Sequence, residues 1–408
     1  MNPIRVLLVR NCRGIISITG GETYLLSLLK GFDPAVCRCV LACIVNPVLG
    51  ETPWLRELQR TGFEYLTIPV RHAWHVGDVK AITSLIKEHD IDIVHALDHR
   101  SDLVSLIAGR RTGRAVAASF LGWTNFPKGS WRAGLYPLID RFILKRLDAV
   151  ITDSVAIGKE LRMGDDDTPV VAIRNGVDTE WFNPSRERPH FSRHDFTEGH
   201  FIFGMVGRIH PIKGHLHFLQ AARTILSAYP DSRFVIAGTV APGFETYQQT
   251  LLDFIRQHDM ERAVLMTHVP LAEIPALFAA INVLVAPSFA ESFSFTLLEG
   301  MAMGKVVVSS DVGGAGEMIS DGETGYLIPV DDVARLIDVL LMLRKQPHLL
   351  KAVGLRARQR ILKDLGIEAM AAKTQDVYRQ LMVFQSREGN IPNRRKELRR
   401  HLDMISAK

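Results

Sequence analysis

The chain has 408 residues, of which 47% are hydrophobic and 23% are charged, and its formal net charge at pH 7 is +5. This length exceeds one ordinary hydrophobic core, so we expect two domains, and the composition excludes disorder over most of the chain. No segment approaches the roughly 18–20 uninterrupted apolar residues of a membrane-spanning helix, so we expect a soluble or peripheral protein.

Short runs of Val, Ile and Leu alternate with amphipathic helical patterns along the chain. Such alternation is typical of βαβ units, whose parallel sheets are covered by helices on both faces. The runs predict strands, in chain order, at Arg5–Val9, Cys39–Val45, Ile93–Ala96, Val150–Thr152, Phe201–Val206, Phe234–Ala237 and Val283–Ala286. We therefore predict an α/β protein with two Rossmann-like parallel-sheet domains.

A polar, proline-containing stretch at residues 184–199 separates two such series of strands and helices. We interpret it as a linker between an N-terminal domain, residues 1–183, and a C-terminal domain, residues 200–366. Residues 386–408 carry many arginines and are interpreted as a basic tail.

The four cysteines, at positions 12, 37, 39 and 43, all fall in the first predicted domain. None forms a C-x-x-C pair or has a histidine at zinc-ligand spacing, so we expect buried free thiols and no metal site. Free thiols imply a reducing cytoplasm.

Positive charge is concentrated in one part of the first domain. Between Arg100 and Arg146 there are nine Lys or Arg residues and two Asp residues. Within it, residues Trp131–Arg146 interleave aromatic, aliphatic and basic side chains, as a helix at a membrane interface does. The pattern fits either a solvated basic face or docking on an anionic membrane surface. Nucleic acid is not expected as a partner, because no known binding motif accompanies the charge.

The strongest chemical signal lies just after the strand that ends at Ala286. Glu291 and Glu299, with seven residues between them, flank a predicted helix start for which Ser292 or Ser294 could be the N-cap. Five residues of helix rise roughly 7–8 Å, so the two acids could bracket a sugar joined to a ribose through phosphates. The helix N-terminus between them favours anions.

Two cations follow the first strand of the second domain, where ligands gather in open parallel sheets. Arg208 offers a planar fork for phosphate oxygens and Lys213 a compact point charge, and a glycine adjoins each of them in sequence. Taken alone, two such cations are more often surface residues of a polar loop.

The sequence Glu291-Ser-Phe-Ser-Phe-Thr-Leu-Leu-Glu299-Gly300 resembles the donor motif of retaining glycosyltransferases of the family-4 type. Further segments resemble that family in the same order: Thr19–Glu22, Asp92–Ala96, Ile173–Asp178, Val206–Gly214, Gly313–Glu317 and Gly325–Pro329. The resemblance runs from about residue 4 to about residue 382. It implies the GT-B architecture, in which two Rossmann-like domains face a cleft and a helix, here residues 367–385, crosses back to the N-terminal domain.

The resemblance also implies an activity and the residues that carry it. The expected reaction transfers a sugar from a nucleoside-diphosphate sugar, which is a substrate rather than a cofactor, to a carbohydrate or glycolipid acceptor with retention of configuration. The implied catalytic residues are Arg208, Lys213 and Glu291. The implied substrate-binding residues are Gly20, Gly21, His95, Phe293, Ser294, Phe295, Thr296 and Glu299, with Glu299 at the ribose and Glu291 at the transferred sugar.

One departure from the family pattern keeps alternatives open. Many relatives have His before Gly in the segment that here contains Leu121-Gly122, and a leucine can neither transfer protons nor form hydrogen bonds through its side chain. The alternatives are a sugar-nucleotide-binding subunit with weak or no turnover, and a sugar-nucleotide epimerase on the same fold.

Overall fold

The computed structural model describes residues 2–12, 20–69, 76–122, 131–162, 169–186, 199–385 and 391–407. The chain forms two compact units. Unit 1 contains Met1–Gly176 together with Ile367–Lys408, and unit 2 contains Val177–Gly366. Among the described residues, no helix combines the length and the apolar character needed to span a membrane.

Within the described residues, unit 1 is built on a seven-stranded parallel sheet with the order β3-β2-β1-β4-β5-β6-β7. Its strands are β1 (Ile4–Asn11), β2 (Cys37–Val45), β3 (Tyr65–Pro69), β4 (Ile93–Ala96), β5 (Ala115–Phe120), β6 (Ala149–Thr152) and β7 (Val170–Ala172). The helices between them are α1 (Gly20–Gly31), α2 (Pro53–Thr61), α3 (Val76–Glu88), α4 (His99–Thr112), α5 (Trp131–Leu144) and α6 (Val155–Arg162). The central strands are fully buried, as strands covered on both faces must be.

Unit 2 repeats this plan on a six-stranded parallel sheet, again counted over the described residues, with the order β10-β9-β8-β11-β12-β13. Its strands are β8 (Phe201–Val206), β9 (Ser232–Ala237), β10 (Val264–Thr267), β11 (Val283–Ala286), β12 (Val306–Ser310) and β13 (Tyr326–Ile328). Its helices are α7 (His215–Ala228), α8 (Glu245–Gln257), α9 (Ile274–Ala280), α10 (Phe295–Ala302), α11 (Ala315–Met318), α12 (Val333–Lys345) and α13 (His348–Asp364). The predicted fold class, two Rossmann-like parallel-sheet domains, is confirmed.

The chain returns to unit 1 at Ile367, where α14 (Ile367–Gln385) begins. This helix packs against α1, and a Cβ atom on Gly31 would lie only 2.5 Å from the carbonyl oxygen of Ile367. Glycine at this position therefore permits the close approach of the two helices.

The predicted linker at residues 184–199 does not divide the units. The division lies earlier, between Gly176 and Val177, and the N–H group of Val177 already donates to the carbonyl oxygen of Leu365 in unit 2. Phe182 is buried in the core of unit 2 beside Phe278. The polar composition marked a segment that follows the boundary, and residues 187–198 lie outside the described part of the chain.

The C-terminal segment is more than the predicted basic tail, because residues Ile391–Ala407 form helix α15. Leu398, Leu402 and Ile405 on this helix are buried, and Asp403 pairs with Arg162 at 2.6 Å. The hydroxyl oxygen of Ser406 accepts a hydrogen bond from the backbone N–H of edge strand β7. The helix therefore covers an edge of the sheet that the charge pattern alone did not reveal.

Candidate active site

A tight loop at the carboxyl end of β8 carries the first predicted cation. Gly207 has a φ of 149°, and a Cβ atom on Gly238 would lie 1.8 Å from the carbonyl oxygen of Gly207. Both positions therefore require glycine, and the loop turns closely over the ends of β8 and β9. Arg208 follows and is exposed, with no hydrogen bond or ion pair to its guanidinium among the described residues.

A 3-10 turn at Pro211–Lys213 places the second cation. His210 is its N-cap, because Nδ1 of the imidazole accepts a hydrogen bond from the N–H of Ile212 at 3.0 Å, and the ring contacts that of Phe244 with centroids 4.1 Å apart. Gly214 closes the turn with a φ of 77°, at a point where a Cβ would lie 2.0 Å from a carbonyl oxygen of the segment after β11. The turn is thereby fixed against that segment.

This packing brings Lys213 and Glu291 together. The ammonium of Lys213 forms an ion pair with Oε1 of Glu291, and the hydroxyl of Ser288 donates to the same oxygen at 3.2 Å. Both charged side chains keep about a fifth of their surface exposed, 22% for Lys213 and 20% for Glu291. The pair is thus within reach of a ligand, with a cation suited to phosphate and a carboxylate suited to hydroxyl groups.

Two glycines pack closely against residues 291–293. A Cβ atom on Gly313 would lie 2.0 Å from the carbonyl oxygen of Glu291, and one on Gly314 would lie 2.4 Å from the Phe293 ring. The N–H of Gly314 donates to the carbonyl oxygen of Ser292 at 2.6 Å. The Gly-Gly pair therefore positions Glu291 through its main chain, while Phe293 is buried and anchors the segment.

Helix α10 begins directly after this segment, with Ser294 at the N-cap position. The Ser294 hydroxyl forms no capping hydrogen bond, so the first turn, which contains Phe295 and Thr296, does not have its N–H groups satisfied by a cap side chain. Both of these residues are partly exposed. A helix N-terminus in this state is suited to an anion.

Glu299 lies farther along α10, whose opposite side is fully buried. Gly300 allows the helix to approach the sheet, because a Cβ there would lie 2.5 Å from Leu284. Glu299 is half-buried by surface area, but its carboxyl group is enclosed enough that desolvation raises its pKa to about 8. We find no hydrogen bond or ion pair to this carboxyl group among the described residues.

In unit 1, the two predicted glycines differ in what they permit. Gly20 opens helix α1 with free space around it, whereas a Cβ atom on Gly21 would lie 2.6 Å from Nη2 of Arg10. Arg10 pairs with the buried Glu22 at 2.6 Å and also donates to the carbonyl oxygen of Leu97. Gly21 therefore makes room for a buried ion pair at the end of β1. The sequence interpretation missed Arg10, although a charged residue that ends an apolar strand is a visible signal.

The side chain of His95, which the resemblance implies as substrate-binding, is enclosed by other protein groups. His95 is 0% exposed, and its Nδ1 and Nε2 atoms lie 2.6 Å from the Tyr378 hydroxyl and 2.8 Å from the Ser119 hydroxyl. The Tyr24 hydroxyl lies 2.7 Å from that of Ser119. Burial lowers the pKa of His95 to about 3, so the ring stays neutral. The contact with Tyr378 ties β4 to α14. Leu121, just beyond β5, is partly exposed.

Two family models match the chain in succession. A model described as a glycosyl transferase 4-like domain matches residues 19–176, and one described as glycosyl transferases group 1 matches residues 200–346. The chain belongs to the glycosyltransferases. The Lys213–Glu291 pair and helix α10 of this glycosyltransferase lie within the second match.

Curated relatives agree over most of the chain. A lipopolysaccharide core biosynthesis mannosyltransferase of Rhizobium meliloti is 28% identical over 245 residues, which are 59% of this chain and 68% of that protein. A UDP-Gal:alpha-D-GlcNAc-diphosphoundecaprenol alpha-1,3-galactosyltransferase of Escherichia coli is 25% identical over 321 residues, 76% of this chain and 81% of that protein.

Solved structures confirm the expected GT-B architecture. A glycosyltransferase from Rickettsia africae matches with a TM-score of 0.77 and 18% identity, over 94% of this chain and 99% of that one. An Anabaena protein in complex with UDP and glucose matches with a TM-score of 0.76 and 17% identity, over 92% and 99%. At these identities the likeness concerns the fold alone.

Proposed function

We propose that this glycosyltransferase is of the retaining family-4 type, and that it transfers a sugar from a nucleoside-diphosphate sugar to a carbohydrate or glycolipid acceptor. The observation that carries the proposal is the Lys213–Glu291 ion pair beside the uncapped start of α10, at the carboxyl edge of the unit 2 sheet. A cation, a carboxylate and a helix N-terminus are the groups that a sugar diphosphate needs.

Each end of the donor has a proposed partner. The ammonium of Lys213 and the guanidinium of Arg208 stabilise the negative charge that develops on the leaving diphosphate. A cation about 4 Å from a phosphate contributes roughly 4 kcal/mol at an effective dielectric near 20. Glu291 accepts hydrogen bonds from the sugar, and Glu299 from the ribose hydroxyls. Donor binding thus replaces the Lys213–Glu291 contact with two contacts to the ligand.

The chemical step needs no side-chain base in this proposal. The bond between the anomeric carbon and the phosphate oxygen breaks, the acceptor oxygen bonds to the same face of that carbon, and the acceptor proton passes to the departing phosphate oxygen. Stabilisation of the leaving group is then the main demand on the protein, and that is the role given to Arg208 and Lys213. A leucine at position 121 is compatible with this route.

The relatives support the donor and acceptor classes. The matched mannosyltransferase is named for lipopolysaccharide core biosynthesis, and the galactosyltransferase for a UDP sugar and a diphosphoundecaprenol-linked acceptor. The structurally similar Anabaena protein was solved with UDP and glucose. We therefore propose a role in lipopolysaccharide or polysaccharide synthesis. The four free cysteines support a cytoplasmic location.

A panel of nucleoside-diphosphate sugars tests the proposal. Without acceptor, we expect slow hydrolysis of one donor, seen by chromatography as released nucleoside diphosphate. With acceptor, we expect NMR to show that the glycoside formed has the same anomeric configuration as the donor. The second candidate is a binding subunit without turnover, favoured by Leu121. A protein that binds a donor tightly but releases no diphosphate would support that candidate and contradict ours. Conversion of the donor into an epimer would support an epimerase.

A further inference from the structure

The imidazole of His210 is held in one orientation in the loop between β8 and α7. Its ring packs on that of Phe244, with centroids 4.1 Å apart, and its Nδ1 atom accepts a hydrogen bond from the N–H of Ile212 at 3.0 Å. Phe244 is the N-cap residue of α8, so the ring lies between the turn that it caps and the start of the next helix. These two contacts restrict the rotation of the side chain.

The hydrogen bond from Ile212 determines which ring nitrogen of His210 carries the proton. A backbone N–H group only donates, so Nδ1 must present its lone pair, and in the neutral ring the proton is then on Nε2. Burial and the positive charges of Arg208 and Lys213 lower the pKa of His210, which favours the neutral ring. His210 therefore presents an N–H group at Nε2 in a defined tautomer.

The protein itself does not use this N–H group. In the part of the chain that the structure describes, we find no hydrogen bond or ion pair to Nε2 of His210, and the side chain is partly exposed. The two cations whose charges act on the ring, Arg208 and Lys213, are those proposed above to contact the leaving diphosphate. Ionised phosphate oxygens accept hydrogen bonds and do not donate them, so an unused N–H group beside these cations suits a diphosphate.

Two other histidines near the same loop lack this property. His215 is 0% exposed, and burial lowers its pKa to about 4, so a ligand cannot reach its ring. The Nε2 atom of His217 lies 3.2 Å from a carboxylate oxygen of Asp331 and is thus already paired. Closeness to the cations is therefore not sufficient, and the accessible, unpaired Nε2 atom distinguishes His210.

We propose that the Nε2–H group of His210 donates a hydrogen bond to the diphosphate of the sugar nucleotide, beside Arg208 and Lys213. The proposal rests on the donor chemistry proposed above. A neutral N–H group adds a directional contact without adding charge, and the orientation of this ring is fixed before the ligand binds. Donors arranged in this way cost no reorganisation when negative charge develops on the leaving group. The alternative is that His210 only caps the turn that carries Lys213.

NMR tests the tautomer in the unaltered protein. In protein with isotope-labelled histidine, long-range proton–nitrogen correlation spectra distinguish a ring protonated at Nε2 from one protonated at Nδ1. The His210→Asn variant identifies the resonances of this ring by their absence. We expect protonation at Nε2, and we expect the resonances to shift when UDP, GDP or ADP is added. A neutral ring protonated at Nδ1, or a ring that none of the three nucleotides affects, would contradict the proposal.

The His210→Asn variant also separates the proposed contact from the cap. The side-chain oxygen of asparagine is as many bonds from Cα as Nδ1 of histidine is, and asparagine is a favoured N-cap residue, so the bond from Ile212 is retained. Its shorter side chain does not reach the position of Nε2. We expect an unchanged midpoint of thermal unfolding. Calorimetry with the tightest-binding of the three nucleotides should show an affinity lowered by about tenfold or more, as for a lost hydrogen bond to a charged group.

Two further variants complete the comparison. His210→Ala removes the cap as well, so it should weaken nucleotide binding and also lower the unfolding midpoint by about 2–4 °C. The matched control is His258→Asn, because His258 is the C-cap residue of α8 and its ring contacts Phe254 with centroids 4.5 Å apart. The 13 residues of α8 span about 20 Å, which separates His258 from Phe244 and the loop. This control should bind the nucleotide as the unaltered protein does.

The failure of this proposal can be told apart from the failure of the proposed function. If His210→Asn binds the nucleotide as tightly as the unaltered protein, His210 is only a cap, even where sugar transfer is intact. If the variant binds more weakly but the unaltered protein releases no diphosphate from any donor, the contact stands and the proposed transfer is wrong. Unaltered protein that binds none of the three nucleotides, or an equal loss of affinity in His258→Asn, would overturn the assignment of His210.

Discussion

Polar residues near the carboxyl ends of the strands differ between the two sheets in burial and in hydrogen bonding. In unit 1, the groups around His95 are buried and hydrogen-bonded to one another, so the protein itself satisfies their hydrogen-bonding capacity. In unit 2, Lys213 and Glu291 bond to each other but keep a fifth of their surface exposed, and Arg208 is open to solvent. Position at the end of a parallel strand therefore identifies candidates, while burial and saturation decide which of them can meet a ligand.

The largest expected effect is on the exposed cations of unit 2. Lys213→Ala or Arg208→Ala should lower turnover by more than about tenfold, roughly 1.4 kcal/mol of transition-state stabilisation, because each removes positive charge from the leaving phosphate. Initial rates of diphosphate release at saturating donor measure this effect. The control is Arg223→Ala, which removes an exposed cation from α7. Unchanged turnover in the folded Lys213 and Arg208 variants would eliminate the proposed phosphate site.

A substitution in the buried hydrogen-bond network around His95 in unit 1 should lower stability and leave activity unchanged. Tyr378→Phe leaves Nδ1 of the buried His95 without its partner, so we expect the free energy of unfolding to fall by about 1–3 kcal/mol. Turnover per folded molecule should stay the same. Denaturant unfolding measures the loss, and Tyr65→Phe at a half-buried position of β3 is the control.

A Tyr378→Phe variant of unaltered stability would show that the network contributes little to folding. Lost turnover with stability intact would instead return His95 to the list of substrate contacts. Either result would weaken the distinction between the buried network of the unit 1 sheet and the ligand-accessible residues of the unit 2 sheet.

Sequence patterns predicted seven of the strands, β1, β2, β4, β6, β8, β9 and β11, and the two loops that carry Lys213 and Glu291, because buried parallel strands are continuous apolar runs. They could not show that these two residues pair, since 78 positions separate them and the contact depends on how Gly214 packs after β11. The sequence could not show the burial of His95 for a related reason. Its partner Tyr378 comes 283 positions later, on a helix whose docking no local pattern reveals.

The C-terminal helix illustrates a signal that was present but overlooked. Leu398, Leu402 and Ile405 are spaced for one face of a helix, and all three are buried in the structure. The count of arginines around them led to the interpretation as a tail. The boundary between the units was misplaced likewise, because polar composition was weighed above the apolar pair Trp181-Phe182, which belongs to the core of unit 2.

Glu299 offers a test through pH. Its pKa is raised to about 8 by desolvation, so the carboxyl group holds a proton at pH 6 that it loses on accepting hydrogen bonds from ribose hydroxyls. Donor affinity should therefore rise by up to about tenfold per pH unit between pH 6 and 8. The free energy of unfolding should fall as pH rises from 4.5 to 8, because the folded state holds the extra proton.

Calorimetry in two buffers of different ionisation enthalpy measures both the affinity and the released proton. Glu299→Gln should abolish the pH dependence, and Glu323→Gln at an exposed loop position should keep it. A donor affinity that does not vary with pH in the unaltered protein, or that Glu299→Gln leaves unchanged, would contradict the ribose assignment.

The smallest expected effect concerns metal ions. If Arg208, Lys213 and the N-terminus of α10 supply the positive charge at the leaving diphosphate, excess EDTA should change turnover by less than about twofold, since a divalent cation would only repeat their role. Direct chromatography of the released nucleoside diphosphate measures this without a coupling enzyme that itself needs magnesium. The Lys213→Ala variant sharpens the test, because added magnesium should restore part of its lost turnover if charge is what the lysine provides. Complete loss of activity in EDTA, reversed by a metal, would mean that the protein cations at this edge are insufficient and that the donor is bound with a metal ion.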